Sequence, residues 1–168
     1  MKKMKAVFYF IFAVGIIVSL SSCFSLFATT HKFVVDKNVS VDQSVIVTFV
    51  NDTKEGWFLV KQWNGNNIEK DVYGNKGTSS NDKTRLTVPV GNNSFTFNAY
   101  YTFSNQYNST TYTFKDIELK YNLEQEKKYQ IKGRIKSLGF FKGSEFFVGI
   151  YDVTGRENLL KEWKLGES

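Results

Sequence analysis

The sequence predicts an all-β protein, an antiparallel β-sandwich of about seven or eight strands that follows an N-terminal leader. First, hydrophobic residues from residue 44 onward alternate with a period of two rather than 3.6. Second, short polar segments rich in Asn, Gly, Ser and Asp separate the apolar runs. Third, a length of 168 residues suits one domain with a leader, and no internal repeat is visible.

The N-terminus has the parts of a secretory signal peptide. Three lysines lie within the first five residues, an apolar run occupies residues 6–20, and Ser21, Ser22 and Cys23 follow. The run is shorter than the roughly 20 residues that span a bilayer. Residues 20–23 resemble the bacterial lipobox, which implies that the Cys23 sulfur takes a diacylglyceryl group and that cleavage leaves Cys23 as the new N-terminus. An ordinary signal peptide and an uncleaved anchor are the alternatives.

These features divide the chain into three parts. We expect residues 1–22 to be a lipoprotein signal peptide, residues 23–32 a lipidated tether and residues 33–168 a single β-sandwich domain. Acyl chains on Cys23 would anchor the protein in a membrane of the bacterial cell envelope, because each buried CH₂ contributes about 0.8 kcal/mol. His31 falls in the tether, where no titratable group is arranged around it, so it is not expected to act in a site.

Composition excludes several classes of site. The 22 basic and 16 acidic residues give a charge of +6, but the leader holds three of the lysines, which leaves 19 against 16, or +3. This excess is too small to predict a nucleic-acid partner. Cys23 and His31 are the only residues of their types, so neither an intrachain disulfide nor a Cys/His zinc site is expected. We expect no cofactor and no metal.

The first predicted strands precede residue 74. Residues 45–50 alternate between two largely apolar faces and indicate a buried strand. Residues 57–63 form a second apolar run that ends at Asn64-Gly65, a strong hairpin signal because both central positions of a type I′ turn need positive φ. A short strand at residues 67–70 would return, and residues 74–83 have the composition of a loop.

The central strands have the clearest alternation. Residues 85–90 form a strand in which Pro89 suits an edge or an end, because proline lacks an N–H donor. In residues 94–103 the inward side is almost entirely aromatic, with Phe95, Phe97, Ala99, Tyr101 and Phe103. The next strand, residues 112–119, changes phase near Lys115-Asp116, which predicts a bulge.

Three more segments complete the predicted sandwich. Tyr129, Ile131, Gly133 and Ile135 share one face of a strand. Residues 145–151 are the last strong strand, and residues 157–165 fit a final strand or a short helix.

Two sets of side chains are candidates for ligand contact. Exposed Trp and Tyr side chains could stack on a sugar ring or form a protein-binding patch, and the alternative for each is core or cross-strand packing. Basic residues on one face of a strand could contact a polyanion, and the alternative is the solvated outer face of a sheet. The aromatic candidates are Trp57, Trp63, Tyr100 and Tyr107, and the basic stripe is Lys128, Lys132, Arg134 and Lys136.

Two carboxylate pairs are candidates for acid–base chemistry. Glu124/Glu126 and Asp116/Glu118 have the spacing of one strand face, at about 7 Å. Both pairs are interleaved with Lys or Gln and fit a solvated rim, so no catalytic residue is predicted.

Several segments together resemble uncharacterised bacterial lipoproteins of the spirochaete type, which have a transthyretin-like or immunoglobulin-like β-sandwich. One turn departs from that pattern, because Gln125-Glu126 stands where glycine is usual. The resemblance implies a fold and an envelope location, without an activity or catalytic residues. The segments that carry it are residues 34–36, 44–49, 63–65, 88–95 and 126–131.

The function expected from these observations is that of a lipid-anchored, non-enzymatic binding or scaffolding module. A membrane would hold it through the diacylglyceryl-Cys, and a glycan or a protein would be its partner. The loops at residues 51–56, 74–83 and 103–110 are the expected contact surface, because a rigid sandwich presents its loops. A subunit of a larger secretion or cell-wall assembly, joined through a sheet edge, is the alternative. A carbohydrate-active enzyme is a more distant one.

Overall fold

A computed structural model describes residues 28–52, 56–75, 77–104, 109–138 and 143–167. This part of the chain is mostly strand, and two sheets pack face to face, so the predicted all-β sandwich is confirmed. One short helix, α1 (Glu69–Tyr73), and a 3-10 turn at Val41–Gln43 accompany the strands. The strands are β1 (Thr30–Val34), β2 (Ser44–Val50), β3 (Trp57–Trp63), β4 (Asn66–Asn67), β5 (Lys83–Pro89), β6 (Gly91–Ser104), β7 (Ser109–Leu123), β8 (Lys128–Ser137), β9 (Ser144–Asp152) and β10 (Asn158–Glu167).

The larger sheet has six strands in the order β1-β5-β2-β8-β9-β10, and the smaller has four in the order β4-β3-β6-β7. The larger sheet is mixed rather than antiparallel as predicted, since β1 runs parallel to β5 and β2 runs parallel to β8. The described residues form ten strands rather than the seven or eight predicted. Parallel neighbours need a long connection. The chain supplies one between β2 and β8 by building the smaller sheet, strands β3, β4, β6 and β7, before β8.

Alternating side chains from both sheets meet in one core. Phe49 of the larger sheet and Phe97 of the smaller sheet are both fully buried, and their ring centroids lie 5.5 Å apart in an edge-to-face arrangement. Phe58 and Phe95 also pack edge-on against Phe49, at 6.1 and 5.8 Å. Aromatic pairs favour this geometry, so the Phe-rich alternation of β6 accounts for the centre of the sandwich.

Three local predictions are confirmed. Asn64 and Gly65 have φ of 45° and 79° at the β3–β4 turn, as a type I′ hairpin requires. Lys115 and Asp116 of β7 lie opposite the single residue Asn98 of β6, which is the predicted bulge. Pro89 is the last residue of β5, where its missing N–H donor does not interrupt the ladder.

Two segments differ from the predictions. The return strand predicted at residues 67–70 stops after Asn67, whose side-chain oxygen accepts a hydrogen bond from the Glu69 N–H at 3.1 Å and starts α1. Val72 and Tyr73 of α1 are buried, so the helix closes part of the core that a strand would have left open. The segment 157–165, left open between strand and helix, is strand β10.

The sheet also begins earlier than predicted. Strand β1 starts at Thr30, inside the segment assigned to the tether, because Phe33 and Val35 pack against the core and the strand pairs with β5 along its whole length. Cys23 and the leader lie outside the described residues. Within the described ranges no helix has the length and apolar character needed to cross a bilayer.

Candidate ligand-binding face

Two of the predicted aromatic residues form a stacked pair on the outer face of the smaller sheet. Trp57 of β3 and Tyr100 of β6 are register partners, and their rings lie 3.9 Å apart with an interplanar angle of 11°. Their neighbours Phe58, Ala99 and Tyr101 are fully buried, so alternation directs Trp57 and Tyr100 away from the core. Both are half-buried, which leaves part of each ring facing solvent. We call this pair, together with the neighbouring polar residues Asn98, Thr102 and Thr111, the aromatic face.

The β7 bulge holds one side of the aromatic face. The Asn98 amide nitrogen donates to the Tyr100 hydroxyl at 3.3 Å, and the Asn98 amide oxygen accepts from the Asp116 N–H at 3.0 Å. Asp116 has a positive φ of 53° and forms an ion pair with Lys61 at 2.5 Å. The bulge therefore frees an N–H that orients Asn98, and Asn98 in turn positions the Tyr100 hydroxyl.

Hydroxyl groups border the pair on the other side. Thr102 of β6 and Thr111 of β7 are register partners with their hydroxyl oxygens 3.0 Å apart. Thr102 follows Tyr100 by two residues and so shares its face. The aromatic face thus combines flat apolar surface with hydroxyl and amide groups.

The residue before Trp57 fixes where β3 begins. Gly56 has φ of 115° and exchanges two backbone hydrogen bonds with Asp52, at 2.8 and 2.9 Å. A Cβ at Gly56 would lie 2.7 Å from Cε1 of Tyr101, so the backbone passes directly over that buried ring. The Tyr101 hydroxyl donates to the Phe147 carbonyl of the other sheet at 2.6 Å, and burial raises the pKa of Tyr101. These contacts fix the backbone at the beginning of β3, and therefore the position of Trp57.

Trp63 lies apart from this pair and has a structural contact. It is paired with Phe95 at the other end of β3, on the side that faces the core. Its indole N–H donates to the Asn93 amide oxygen at 2.7 Å, and the Asn93 amide nitrogen donates to the carbonyls of Pro89 and Gly91 at 2.9 and 3.0 Å. This network ties the β5–β6 turn to β3. Tyr107 lies outside the described residues.

A depression of about 370 Å³ opens near that turn. Asn92 and Asn122 on its rim are register partners and exposed, and Asn64 contributes from the β3–β4 turn. The Asn64 side-chain oxygen accepts from the Ser94 N–H at 2.8 Å, which joins the two turns. These amides are a second polar surface of the smaller sheet, without an aromatic pair.

The basic stripe on β8 is largely neutralised by carboxylates of its neighbours. Arg134 donates from two nitrogens to Glu162 of β10, at 2.8 and 2.6 Å, and its guanidinium lies 4.5 Å from the centroid of the Phe147 ring. Lys132 pairs with Glu157 at 2.5 Å and Lys136 with Glu145 at 3.2 Å. Lys128 is the one member for which the structure gives no ion pair among the described residues. The arrangement favours a solvated sheet face over a polyanion site.

Three of the four carboxylates considered for acid–base chemistry also have cationic partners. Glu118 pairs with Lys120 at 3.0 Å and Glu124 with Lys127 at 2.8 Å, while Asp116 pairs with Lys61. The Lys120 ammonium and the Ser94 hydroxyl lower the pKa of Glu118. A general acid needs a raised pKa, so this direction does not suit that role. No group of three or more His, Cys, Asp or Glu side chains in the described ranges is placed to hold a metal ion.

Sequence reasoning missed the contacts of His31. His31 Nε2 lies 3.4 Å from Asp82 Oδ2, and the imidazole packs edge-on against Tyr73 at 5.0 Å. Asp82 also accepts the backbone N–H groups of Thr29 and Ser79, both at 2.9 Å. The alternation of His31, Phe33 and Val35 toward the core was the available signal for a strand here. The predicted contact loop 74–83 therefore anchors β1 through its Asp82.

Comparison of the chain with protein-family models, with curated proteins and with solved structures finds no match.

Proposed function

We propose that this protein is a lipid-anchored, non-enzymatic binding module of a bacterial envelope, and that its aromatic face contacts a glycan. The stack of Trp57 on Tyr100, on an outer sheet face, carries the proposal. The anchor is supported by the leader and by Cys23. A spirochaete-type lipoprotein is the family that the sequence resembles, and an envelope location follows from that resemblance.

The chemistry of the aromatic face suits a sugar. A pyranose ring has an apolar C–H face and a rim of hydroxyls, and the aromatic face offers ring surface beside Thr102, Thr111 and the Tyr100 hydroxyl. Trp and Tyr each present a large area with few rotatable bonds, so little entropy is lost when they contact a ligand. The rings are already stacked, and Gly56 and Asn98 hold their strands in place, so the surface is preformed.

A subunit of a larger envelope assembly is the second candidate function. Strand β7 is an edge of the smaller sheet and has 15 residues, which gives a partner strand a long edge to pair with. Lys115, Asp116, Glu118 and Lys120 lie along that edge, and charged residues discourage edge-to-edge pairing. The aromatic face therefore supports a glycan-binding module better than β7 supports strand addition.

A glycan array tests the binding proposal. We expect the wild-type protein to bind a subset of glycans, and Trp57→Ala or Tyr100→Ala to lower that binding by roughly tenfold or more, since hot-spot aromatics contribute about 2 kcal/mol or more. Leu159→Ala is the matched control, because Leu159 is an apolar side chain 45% exposed on the other sheet. Equal loss in the control, or unchanged binding in both aromatic variants, would contradict the proposal.

Anchoring and location need separate measurements. Metabolic labelling with palmitate should label the wild-type chain and not Cys23→Ser. Protease treatment of intact cells, with permeabilised cells as the control, should cleave an outward-facing sandwich in its loops. Protection until permeabilisation would place the domain in the envelope interior and would favour the assembly subunit, for which cross-linking to envelope partners is the next measurement.

A further inference from the structure

Three exposed cations cluster on the outer face of the larger sheet, at its β1 edge. Lys32 and Arg85 are register partners on β1 and β5, and Lys83 precedes Arg85 by two residues. Thr84 and Leu86 of β5 are fully buried, so Lys83 and Arg85 project to the solvent side. Adjacent strands are about 4.8 Å apart and alternate residues about 7 Å apart, which puts the three positions within about 10 Å. We call Lys32, Lys83 and Arg85 the anchor-side cluster.

Among the described residues, no carboxylate neutralises this cluster on its own face. The outward positions of β1, β5 and β2 are hydroxyl, apolar or cationic side chains. None of the ion pairs in the described part of the chain includes Lys32, Lys83 or Arg85. The basic stripe on β8 differs, because carboxylates of β9, β10 and the turn between them lie against three of its four members. In the described ranges, the anchor-side cluster is therefore a group of neighbouring cations on one sheet face whose positive charge is left for an external partner.

The cluster lies next to the point where the chain leaves the domain toward Cys23. Strand β1 begins at Thr30, seven residues after Cys23. An extended chain reaches at most about 3.6 Å per residue, so Thr30 stays within about 25 Å of the lipidated residue. Lys32 follows two residues later, on the strand that the tether enters. This step rests on the proposed lipid anchor.

We propose that the anchor-side cluster contacts the anionic phospholipid headgroups of the bilayer that holds Cys23. Anionic headgroups attract basic side chains within a Debye length, about 10 Å at 0.1 M salt, and a tether of this length lets the cluster come within that range of the bilayer. Val34, 44% exposed on the same side of β1, adds an apolar side chain beside Lys32. The outer faces of two packed sheets point in opposite directions, so this contact turns Trp57 and Tyr100 away from the membrane.

The test uses the full-length lipidated protein reconstituted into vesicles of phosphatidylcholine, with or without added phosphatidylglycerol. Flotation reports anchoring, and mass spectrometry after brief amine labelling reports the exposure of each lysine. We expect flotation with both vesicles, and labelling of Lys32 and Lys83 lower by at least about twofold on the anionic vesicles, with the difference removed by high salt. Lys120 of the smaller sheet is the internal reference.

A pair of variants separates cluster charge from total charge. Lys83→Gln/Arg85→Gln leaves Lys32 as a reporter, and its protection on anionic vesicles should be lost. Lys115→Gln/Arg156→Gln removes the same charge from exposed sites elsewhere and should keep that protection. Flotation with equal Lys32 labelling on both vesicle types overturns the membrane contact alone. Failure to float from either vesicle overturns the anchor, and the contact with it.

Discussion

Asp82 binds strand β1 to the rest of the sandwich through its contact with His31. The carboxylate Oδ2 lies 3.4 Å from His31 Nε2, and the same carboxylate accepts the N–H groups of Thr29 and Ser79. The side chains of Asp82 and His31 are only 13% and 15% exposed, so water replaces these contacts poorly when one is lost. This relationship makes the proposed entry point of the tether a fixed part of the fold.

Removing the carboxylate should loosen β1 first. We expect Asp82→Ala to lower the free energy of unfolding by about 1–3 kcal/mol, because two backbone N–H groups lose their acceptor. For a domain of this size each 1 kcal/mol corresponds to a fall in Tm of about 2–4 °C. Hydrogen exchange should accelerate at β1 before it does in β6. Asp36→Ala is the control, because this half-buried carboxylate accepts one local backbone N–H, that of Asn38 at 2.9 Å. Equal destabilisation by both variants would argue against the anchoring role.

The Asp82 contacts should also make stability depend on pH. Burial acts to raise the pKa of Asp82, but the hydrogen bonds from Ser79, Thr29 and His31 outweigh it, and the pKa falls below its ordinary value. A carboxylate with a lowered pKa in the folded state stabilises the fold above its unfolded pKa of about 3.9, and that stabilisation is lost as the pH falls through the folded pKa. The difference in Tm between wild type and Asp82→Asn should therefore shrink as the pH is lowered from 6 toward 3. A difference that stays constant over this range would exclude the linkage.

Gly56 offers a separate test of how rigidly the aromatic face is placed. Alanine at Gly56 puts a Cβ 2.7 Å from Tyr101 Cε1 and also strains the backbone at φ of 115°. We expect a loss of about 1–3 kcal/mol from the steric clash alone, and a weaker stack of Trp57 on Tyr100 measured by tryptophan fluorescence. Gly65→Ala is the matched control, since its φ is also positive, at 79°, but nothing lies within 4 Å of the new Cβ. Similar losses in the two variants would mean that Tyr101 gives way and that the clash contributes nothing.

Local patterns predicted the elements whose structure depends on near neighbours. The alternation of apolar residues in β6 identified Phe95, Phe97 and Tyr101 as core residues, and Asn64-Gly65 identified the β3–β4 hairpin. Both patterns could be predicted because they depend only on residues close together in the sequence. Strand β1 escaped prediction because its five residues are held by β5 and Asp82, which lie about 50 positions away. The parallel pairing of β2 with β8 joins residues that are even further apart in sequence, as Ile46 and Lys128 show.

The candidate site was predicted as a set of residues without their arrangement. Trp57 and Trp63 looked equivalent in the sequence, yet a register shift near Lys61 leaves Trp57 on the outer face and turns Trp63 toward the core. Likewise, the sequence placed the basic residues of β8 on one face, as the structure has them. The carboxylates that neutralise Arg134 and Lys136 come from β10 and β9. The alternation of residues within a strand does not predict which strands are neighbours in the sheet, so these partners could not be predicted.

That neutralisation leads to a last prediction, on the stripe itself. Glu157→Gln/Glu162→Gln should free Lys132 and Arg134 and raise the salt concentration at which the protein elutes from immobilised heparin, because each released cation adds to counterion exchange. Stability should change by less than about 1 kcal/mol, since these pairs are partly exposed. Glu118→Gln/Glu167→Gln removes the same charge at other ion pairs. If both double variants shift the elution equally, the change in net charge is responsible for the shift. In that case Glu157 and Glu162 do not prevent the basic stripe from binding heparin.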